Sequence, residues 1–304
     1  MKRTLIILLT APLLALLAGC IEFDEQTMNY RYDVDADTLR IFQDYRGIHA
    51  GKDPVTKAER EQLDSVLKGQ RTFFFNNWIT EFNREAVVET LEKLRDPARR
   101  AEMKLPEGAQ PTVEKLLKLS LDQVSVENGP FYLDARGQLC GVQYVTVTKF
   151  SAVLAAGNDC ALFFARTEAA AEGKSPEDKA ALLKFAAKPK RFVEFDGNAM
   201  TVCYPVTAAE YEKHFGVAAK DPQPMENFRK AGVKVSFDDD LVTFQFGRKA
   251  DSITSLTLPF KTDAYNPSLM ELARTKHTVR EAFDTTNAAQ EFLLKGKATD
   301  AVTK

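Results

Sequence analysis

Cysteine and histidine are the side chains in this sequence best suited to nucleophilic or metal-binding chemistry. The three histidines lie far apart in the chain: His49, His214 and His277. The cysteines of the body lack the C-x-x-C spacing of a redox or metal motif: Cys140, Cys160 and Cys203. A cysteine becomes a nucleophile when a nearby base takes its proton, so Cys203 with His214 is the pair that could form a catalytic site. We expect instead that the three histidines lie at the surface or at helix caps. We expect the three cysteines to be buried free thiols, and the alternative is that two of them form a disulfide.

Acidic residues between Asp33 and Asp44 follow part of the spacing of a calcium-binding loop. Asp33, Asp35 and Asp37 alternate with other residues, and Asp44 falls at the twelfth position. The sixth position, however, is Thr38, where such a loop requires glycine, and the flanking residues favour strands over helices. An Asx-type hairpin turn explains the same residues, so we assign no metal ligand here.

Familiar catalytic motifs are absent from the sequence. It contains no G-x-S-x-G, H-E-x-x-H, G-x-x-x-x-G-K-[ST] or G-x-G-x-x-G. The sequence therefore assigns no catalytic residue, no cofactor and no metal site.

The N-terminus indicates a different kind of chemistry. Met1-Lys2-Arg3 precedes an apolar run from Leu5 to Leu17, which has the layout of a secretory signal and is short for a membrane span. The run ends in Leu17-Ala18-Gly19-Cys20, which resembles the lipobox of bacterial lipoproteins. The resemblance implies that residues 1–19 are a signal peptide and that Cys20 becomes the lipid-attachment site. There it would carry a thioether-linked diacylglycerol and an amide-linked acyl chain.

The residue after the lipobox cysteine bears on localisation. Lipoproteins held at the inner membrane usually have aspartate at this position, and here it is Ile21. The resemblance therefore implies an outer-membrane lipoprotein that faces the periplasm, with membrane lipid as its first partner through acylated Cys20. Residues 20–29 would form a tether of at most about 35 Å, so we expect the folded body to lie close to the bilayer.

Composition describes a soluble globular body. The sequence is 44% hydrophobic and 28% charged, and its formal net charge of −2 is too balanced to indicate a nucleic-acid partner.

Strand-like pairs around turn residues predict four hairpins and one further strand. The predicted pairs are 30–34 with 39–42, 130–133 with 139–148, 191–195 with 200–204, and 233–237 with 241–246, and the further strand is 252–260. Helical patterns lie between them, so the sequence predicts an α+β fold, an antiparallel sheet built from hairpins with helices covering one face.

Capping residues predict where several helices begin. The predicted starts are Thr56 with Glu59, Ser175 with Pro176, Thr207 with Glu210, and Thr278 with Glu281. The helical pattern from Phe150 to Ala171 is predicted to break near Gly157-Asn158, and the aromatic run from Phe73 to Phe82 is predicted to be core.

Residues 96–111 are the best candidate linker, because they combine charged residues with Pro and Gly. We therefore predict an N-terminal α+β subdomain over 30–104, a C-terminal one over 105–295, and a polar tail over 296–304.

These observations favour a membrane-anchored envelope lipoprotein that binds an envelope protein partner or supports an assembly. Two alternatives remain open at this point: an envelope hydrolase or transferase with an unrecognised active site, and a surface-exposed structural lipoprotein.

Overall fold

The computed structural model describes residues 21–51, 54–68, 71–72, 82–187, 192–214, 223–259 and 265–299. Within these ranges the strands are β1 Ile21–Glu22, β2 Glu25–Asp33, β3 Thr38–Arg46, β4 His49–Ala50, β5 Val124–Leu133, β6 Leu139–Val147, β7 Val193–Asp196, β8 Ala199–Pro205, β9 Lys234–Asp238, β10 Leu241–Phe246, β11 Thr254–Pro259 and β12 Val279–Arg280. The helices are α1 Lys57–Lys68, α2 Arg84–Arg95, α3 Pro97–Glu102, α4 Ala109–Gln123, α5 Phe150–Ala170, α6 Pro176–Ala187, α7 Ala208–His214, α8 Gln223–Lys230, α9 Ser268–Lys276 and α10 Thr285–Lys295. The predicted α+β fold class is confirmed.

The described residues divide into two compact units that are interleaved in sequence. The six-stranded unit comprises residues 21–86, 124–148 and 255–299, and the four-stranded unit comprises residues 87–123 and 149–254. This grouping differs from the sequential halves predicted around residue 104. The predicted linker over 96–111 contains α3, because the Asp96 side chain caps that helix by accepting from the amides of Ala98 and Arg99.

In the six-stranded unit the strands follow the order β11-β2-β3-β6-β5-β12. The neighbours β2, β3, β6 and β5 pair antiparallel, and the two-residue strand β12 pairs with β5 in parallel. The hairpin of β2 and β3 turns where the Asp33 carboxylate accepts a hydrogen bond from the Ala36 amide at 3.1 Å, so the Asx-type turn is confirmed. The supposed calcium loop is therefore a hairpin, and Asp44 lies about 20 Å along β3 from its turn.

Residues 21–29 form strands in place of the predicted tether. Ile21 pairs with Ala50 and Glu22 with His49, and β2 begins at Glu25. Ile21 and Phe23 are 2% and 4% exposed. They belong to a core cluster to which α1 and α9 also contribute: Ile21, Phe23, Tyr45, Ile48, Ala50, Val55, Leu63, Phe131, Leu139, Leu269 and Ala273. The residues that directly follow Cys20 are therefore part of the folded body.

In the four-stranded unit an antiparallel sheet has the order β7-β8-β10-β9. Residues of α5 and α6 pack into one core cluster with Cys203 of β8 and Leu241 of β10. Helix α5 runs without the predicted break at Gly157-Asn158, because the Asn158 amide bonds to both the N–H and the C=O of Val193, at 2.9 and 2.8 Å.

Three of the predicted helix starts are confirmed and one is wrong. Glu59 accepts from both the amide and the hydroxyl of Thr56, the Asp178 amide donates to Ser175, and Thr207 and Glu210 form the same kind of box as Thr56 and Glu59. The predicted start at Thr278 is wrong, because Val279–Arg280 forms β12, and α10 instead begins after Asp284, whose carboxylate accepts from Asn287.

Other sequence predictions fall partly outside the described residues. Phe82 is buried, but the rest of the aromatic run from Phe73 lies outside them. In the predicted polar tail, the Thr299 carbonyl accepts from the Tyr144 hydroxyl at 2.6 Å, and residues 300–304 lie outside the described residues.

The cysteine prediction is confirmed, since Cys140, Cys160 and Cys203 are free and buried. Burial raises the pKa of Cys140 to about 12 and that of Cys160 to about 11. We expect all three thiols to react slowly with a maleimide in the native protein and fully in urea, because the reactive thiolate forms only on exposure. Peptide mass mapping of the labelled sites checks this, and fast native labelling of any of the three would contradict the burial.

Helix α10 offers a matched pair of core and surface variants. Phe292 is 3% exposed, and the centroid of its ring lies 4.9 Å from that of the Tyr144 ring. Leu294 on the same helix is 43% exposed. We expect Phe292→Ala to lower the free energy of unfolding by about 3–5 kcal/mol and Leu294→Ala by less than about 1 kcal/mol. Urea unfolding followed by circular dichroism measures both losses. Equal losses would contradict the assignment of Phe292 to the buried face of α10 and Leu294 to its exposed face.

Candidate functional site

An open, charged cleft of about 430 Å³ lies in the six-stranded unit. One side is formed where β2 begins and β3 ends, and the other by the turn between β5 and β6. We call it the Asp24 cleft, and its lining residues are Asp24, Glu25, Arg46, Asp134, Ala135 and Arg136.

A glycine allows Asp24 to take its place in the cleft. Gly47, with a φ of +66°, turns the chain at the end of β3, and a Cβ atom there would lie 2.4 Å from Asp24 Oδ2. The Asp24 amide also donates to the Arg46 carbonyl at 2.9 Å. Only glycine combines this backbone conformation with the close approach of the carboxylate.

A buried carboxylate holds Arg46 from behind. Asp44 is 2% exposed, and it accepts hydrogen bonds from the Tyr132 hydroxyl at 2.5 Å and from Arg46 Nε at 2.9 Å. Burial raises the pKa of Asp44 above its ordinary value, and these two donors act against that rise. Burial by itself would lower the pKa of Arg46, but the charge and hydrogen bond of Asp44, together with the charges of Tyr132 and Glu25, outweigh it and raise that pKa. Arg46 therefore stays charged and oriented.

The second arginine is held by the turn that carries it. Asp134 accepts from the amides of Arg136 and Gln138, both at 2.9 Å, and from Arg136 Nε at 3.0 Å. Burial tends to raise the pKa of Asp134, but these hydrogen bonds outweigh it and hold the pKa below its ordinary value. The turn is thus a preorganised support for the Arg136 guanidinium.

His49 lies beneath the cleft and corrects the expectation of a surface or cap histidine. Its side chain is 0% exposed, and its ring contacts Tyr265 with centroids 5.6 Å apart. Nε2 lies 3.9 Å from Asp24 Oδ1 and has no hydrogen-bond partner within the part of the chain that the structure describes. His277, by contrast, is at the C-terminal cap of α9, as predicted.

The alternative Cys203–His214 pair lies partly outside the described side chains. Cys203 lines a second cleft of about 410 Å³ in the four-stranded unit, and its sulfur accepts from the Thr243 hydroxyl at 3.7 Å. The His214 side chain lies outside the described residues. Among the side chains that are described, no group of three or more His, Cys, Asp or Glu is arranged to hold a metal ion.

Cys20 itself also lies outside the described residues. Over residues 21–299, apart from the gaps given above, no helix has the length and apolar character needed to cross a bilayer. The chain matches no family model, no curated protein and no solved structure.

Sequence reasoning missed the cleft, although one signal pointed to it. Asp44 and Arg46 carry charges in a strand that is otherwise mostly apolar or amide-bearing, Thr38–Arg46. A charge in a buried strand is usually paired, so Asp44 could have been expected to have a cationic or hydroxyl partner.

The Tyr132 hydroxyl provides a test of the Asp44 environment. In Tyr132→Phe, the buried carboxylate loses a donor, so we expect the free energy of unfolding to fall by about 1–3 kcal/mol at neutral pH. The pKa of Asp44 is higher in the folded than in the unfolded state, so the free energy of unfolding falls as the pH rises from the unfolded pKa to the folded pKa. Loss of the Tyr132 donor raises the folded pKa further and so increases this fall. Unfolding measured at about pH 4 and pH 7 should therefore show the smaller loss at the lower pH.

Tyr32→Phe is the matched control for that measurement. The Tyr32 hydroxyl donates to Asp37 at the hairpin turn at 3.0 Å, a partly exposed bond that water can replace. Two outcomes would contradict the account of Asp44. One is that Tyr32→Phe lowers the free energy of unfolding as much as Tyr132→Phe does, and the other is that Tyr132→Phe loses more at pH 4 than at pH 7.

Proposed function

We propose that this chain is a lipid-anchored envelope protein that acts by binding at a membrane surface. The resemblance of Leu17-Ala18-Gly19-Cys20 to a lipobox supports the anchor. The observation that carries the proposal is that Ile21, the residue directly after Cys20, belongs to the core: it is 2% exposed and paired with Ala50.

This arrangement couples the lipid to the folded body. Consecutive Cα atoms are about 3.8 Å apart, so acyl chains on Cys20 would be attached one residue from a core strand. The neighbouring backbone is fixed too, because Gly51 donates to Glu59 at 2.9 Å while Glu59 caps α1. Several acyl chains give stable anchoring, and the body would be held directly against the head groups.

The Asp24 cleft supports binding as the activity. Asp24 is four residues from Cys20, so the cleft can lie at most about 15 Å along the chain from the anchor. Each cleft arginine is held by a carboxylate, Arg46 by the buried Asp44 and Arg136 by Asp134 beside it in the lining, as in sites built for recognition. Ile21 in place of aspartate supports an outer-membrane location facing the periplasm.

Cys20→Ala tests the anchor, with Cys160→Ala as the matched control in the body. We expect the wild type and Cys160→Ala to fractionate with membranes and to carry acyl mass on Cys20, because only that cysteine accepts the lipid. Cys20→Ala should lose both the acyl mass and the membrane association. Mass spectrometry of the N-terminal peptide and membrane fractionation read out these results.

A soluble, unacylated wild type would overturn the proposal. Robust hydrolase turnover by the purified protein would contradict binding as its activity and favour the enzymatic alternative.

A further inference from the structure

We propose that the Asp24 cleft binds a zwitterionic group that carries a primary ammonium beside a phosphate, the chemistry of phosphoethanolamine. The inference deepens the proposed function and rests on it for the source of the ligand, since an anchored protein meets such groups as lipid head groups.

The size and shape of the cleft suit such a group. Its volume of about 430 Å³ lies within the usual range of small-molecule sites, and it is open to solvent on one side. A single metal ion or chloride would leave most of that space unfilled. A head group of several heavy atoms, entering from the open side, could reach both walls.

The charged side chains that line the cleft favour a ligand that carries both a positive and a negative group. Three carboxylates and two guanidiniums line the cleft: Asp24, Glu25, Asp134, Arg46 and Arg136. A simple anion would meet a net negative lining, and a simple cation would meet two fixed guanidiniums. An ammonium beside Asp24 and Glu25, with a phosphate beside the arginines, opposes neither set of charges.

The two arginines retain donors for a phosphate. Arg46 bonds to Asp44, and Arg136 to Asp134, through the Nε atom of each guanidinium. A guanidinium carries four more N–H groups on its Nη atoms. The nearest cleft carboxylate to those of Arg46 is Glu25, at 4.0 Å, which is beyond hydrogen-bond distance.

His49 supplies an independent sign that the cleft is a binding site. Its Nε2 is buried, lacks a hydrogen-bond partner within the described residues and faces Asp24 Oδ1 at 3.9 Å. A buried polar nitrogen without a partner is costly. The other ring nitrogen, Nδ1, lies 3.2 Å from the Ala50 carbonyl, so in the neutral ring Nδ1 donates and Nε2 is an acceptor without a donor. A ligand ammonium bound at Asp24 Oδ1 would bring a donor close to this nitrogen.

Calorimetric titration of the acylated full-length mature protein in phosphatidylcholine nanodiscs tests the inference, with O-phosphoethanolamine, ethylamine and inorganic phosphate as separate probes. We expect O-phosphoethanolamine to bind at least about tenfold more tightly than either single-charge probe, because only it engages both sets of charges. Asp24→Asn and Arg136→Gln should each weaken that binding about tenfold or more. Arg60→Gln, an exposed change on α1 of the same unit, should leave it unchanged.

A second arm identifies the source of the ligand. In nanodiscs that contain phosphatidylethanolamine, lipid head groups should occupy the cleft and weaken the apparent affinity for O-phosphoethanolamine. Unchanged affinity there would show that the ligand is a free solute and overturn the lipid source.

The remaining outcomes decide the ligand class. Phosphate or ethylamine binding as tightly as O-phosphoethanolamine, or affinity unaffected by both Asp24→Asn and Arg136→Gln, would overturn the inference. Thermal unfolding of the variants distinguishes lost binding from lost folding. Because Arg136 is exposed, we expect Arg136→Gln to disturb the fold less than Asp24→Asn does. Acyl mass on Cys20 is read independently, so failure of the anchor is distinguishable from failure of the cleft.

Discussion

The first residues after Cys20 are part of the core, and the organisation of the six-stranded unit depends on this constraint. Ile21 and Phe23 are buried, and β1 pairs with β4 just where β3 turns away at Gly47. Side chains of α1 and α9 pack against the same cluster. Burial of these apolar side chains stabilises the segment that directly follows Cys20. A proposed lipid on Cys20 would therefore fix the orientation of the body as well as its location.

The Asp24 cleft is built at some cost in stability. Asp44 is a buried carboxylate whose pKa is raised by desolvation, and a buried charge is tolerated only when it is paired and hydrogen-bonded. The Tyr132 hydroxyl and the Arg46 guanidinium meet that requirement, and the same two bonds aim Arg46 along the cleft wall. His49 remains without a partner on Nε2 within the described chain, facing the carboxylate that we propose binds the ligand ammonium. Asp44 and His49 are thus two polar groups that are costly to the fold and lie beside the cleft, as expected at a functional site.

Features set by neighbouring residues could be predicted from the sequence, whereas features set by distant ones could not. The turn at Asp33 and the confirmed helix caps involve residues a few positions apart, so their signals are local. The predicted break in α5 failed because Asn158 bonds to Val193, 35 residues away. The cleft was missed for the same reason, since Asp44 and Tyr132 are 88 residues apart and meet only through the register of β3, β6 and β5. Cys20 is different again, because its chemistry is indicated by a sequence signal outside the described fold.

Hydrogen exchange over residues 21–25 of the acylated protein in nanodiscs can show whether a flexible tether separates the folded core from Cys20. We propose that the core includes the residue directly after Cys20, the proposed site of the lipid, with no tether between them. This arrangement predicts protection of the Asp24 amide, which donates to the Arg46 carbonyl at 2.9 Å, comparable to that of amides within β3. Exchange of this segment as fast as in an unstructured peptide, while β3 stays protected, would show a tether after all and contradict the account.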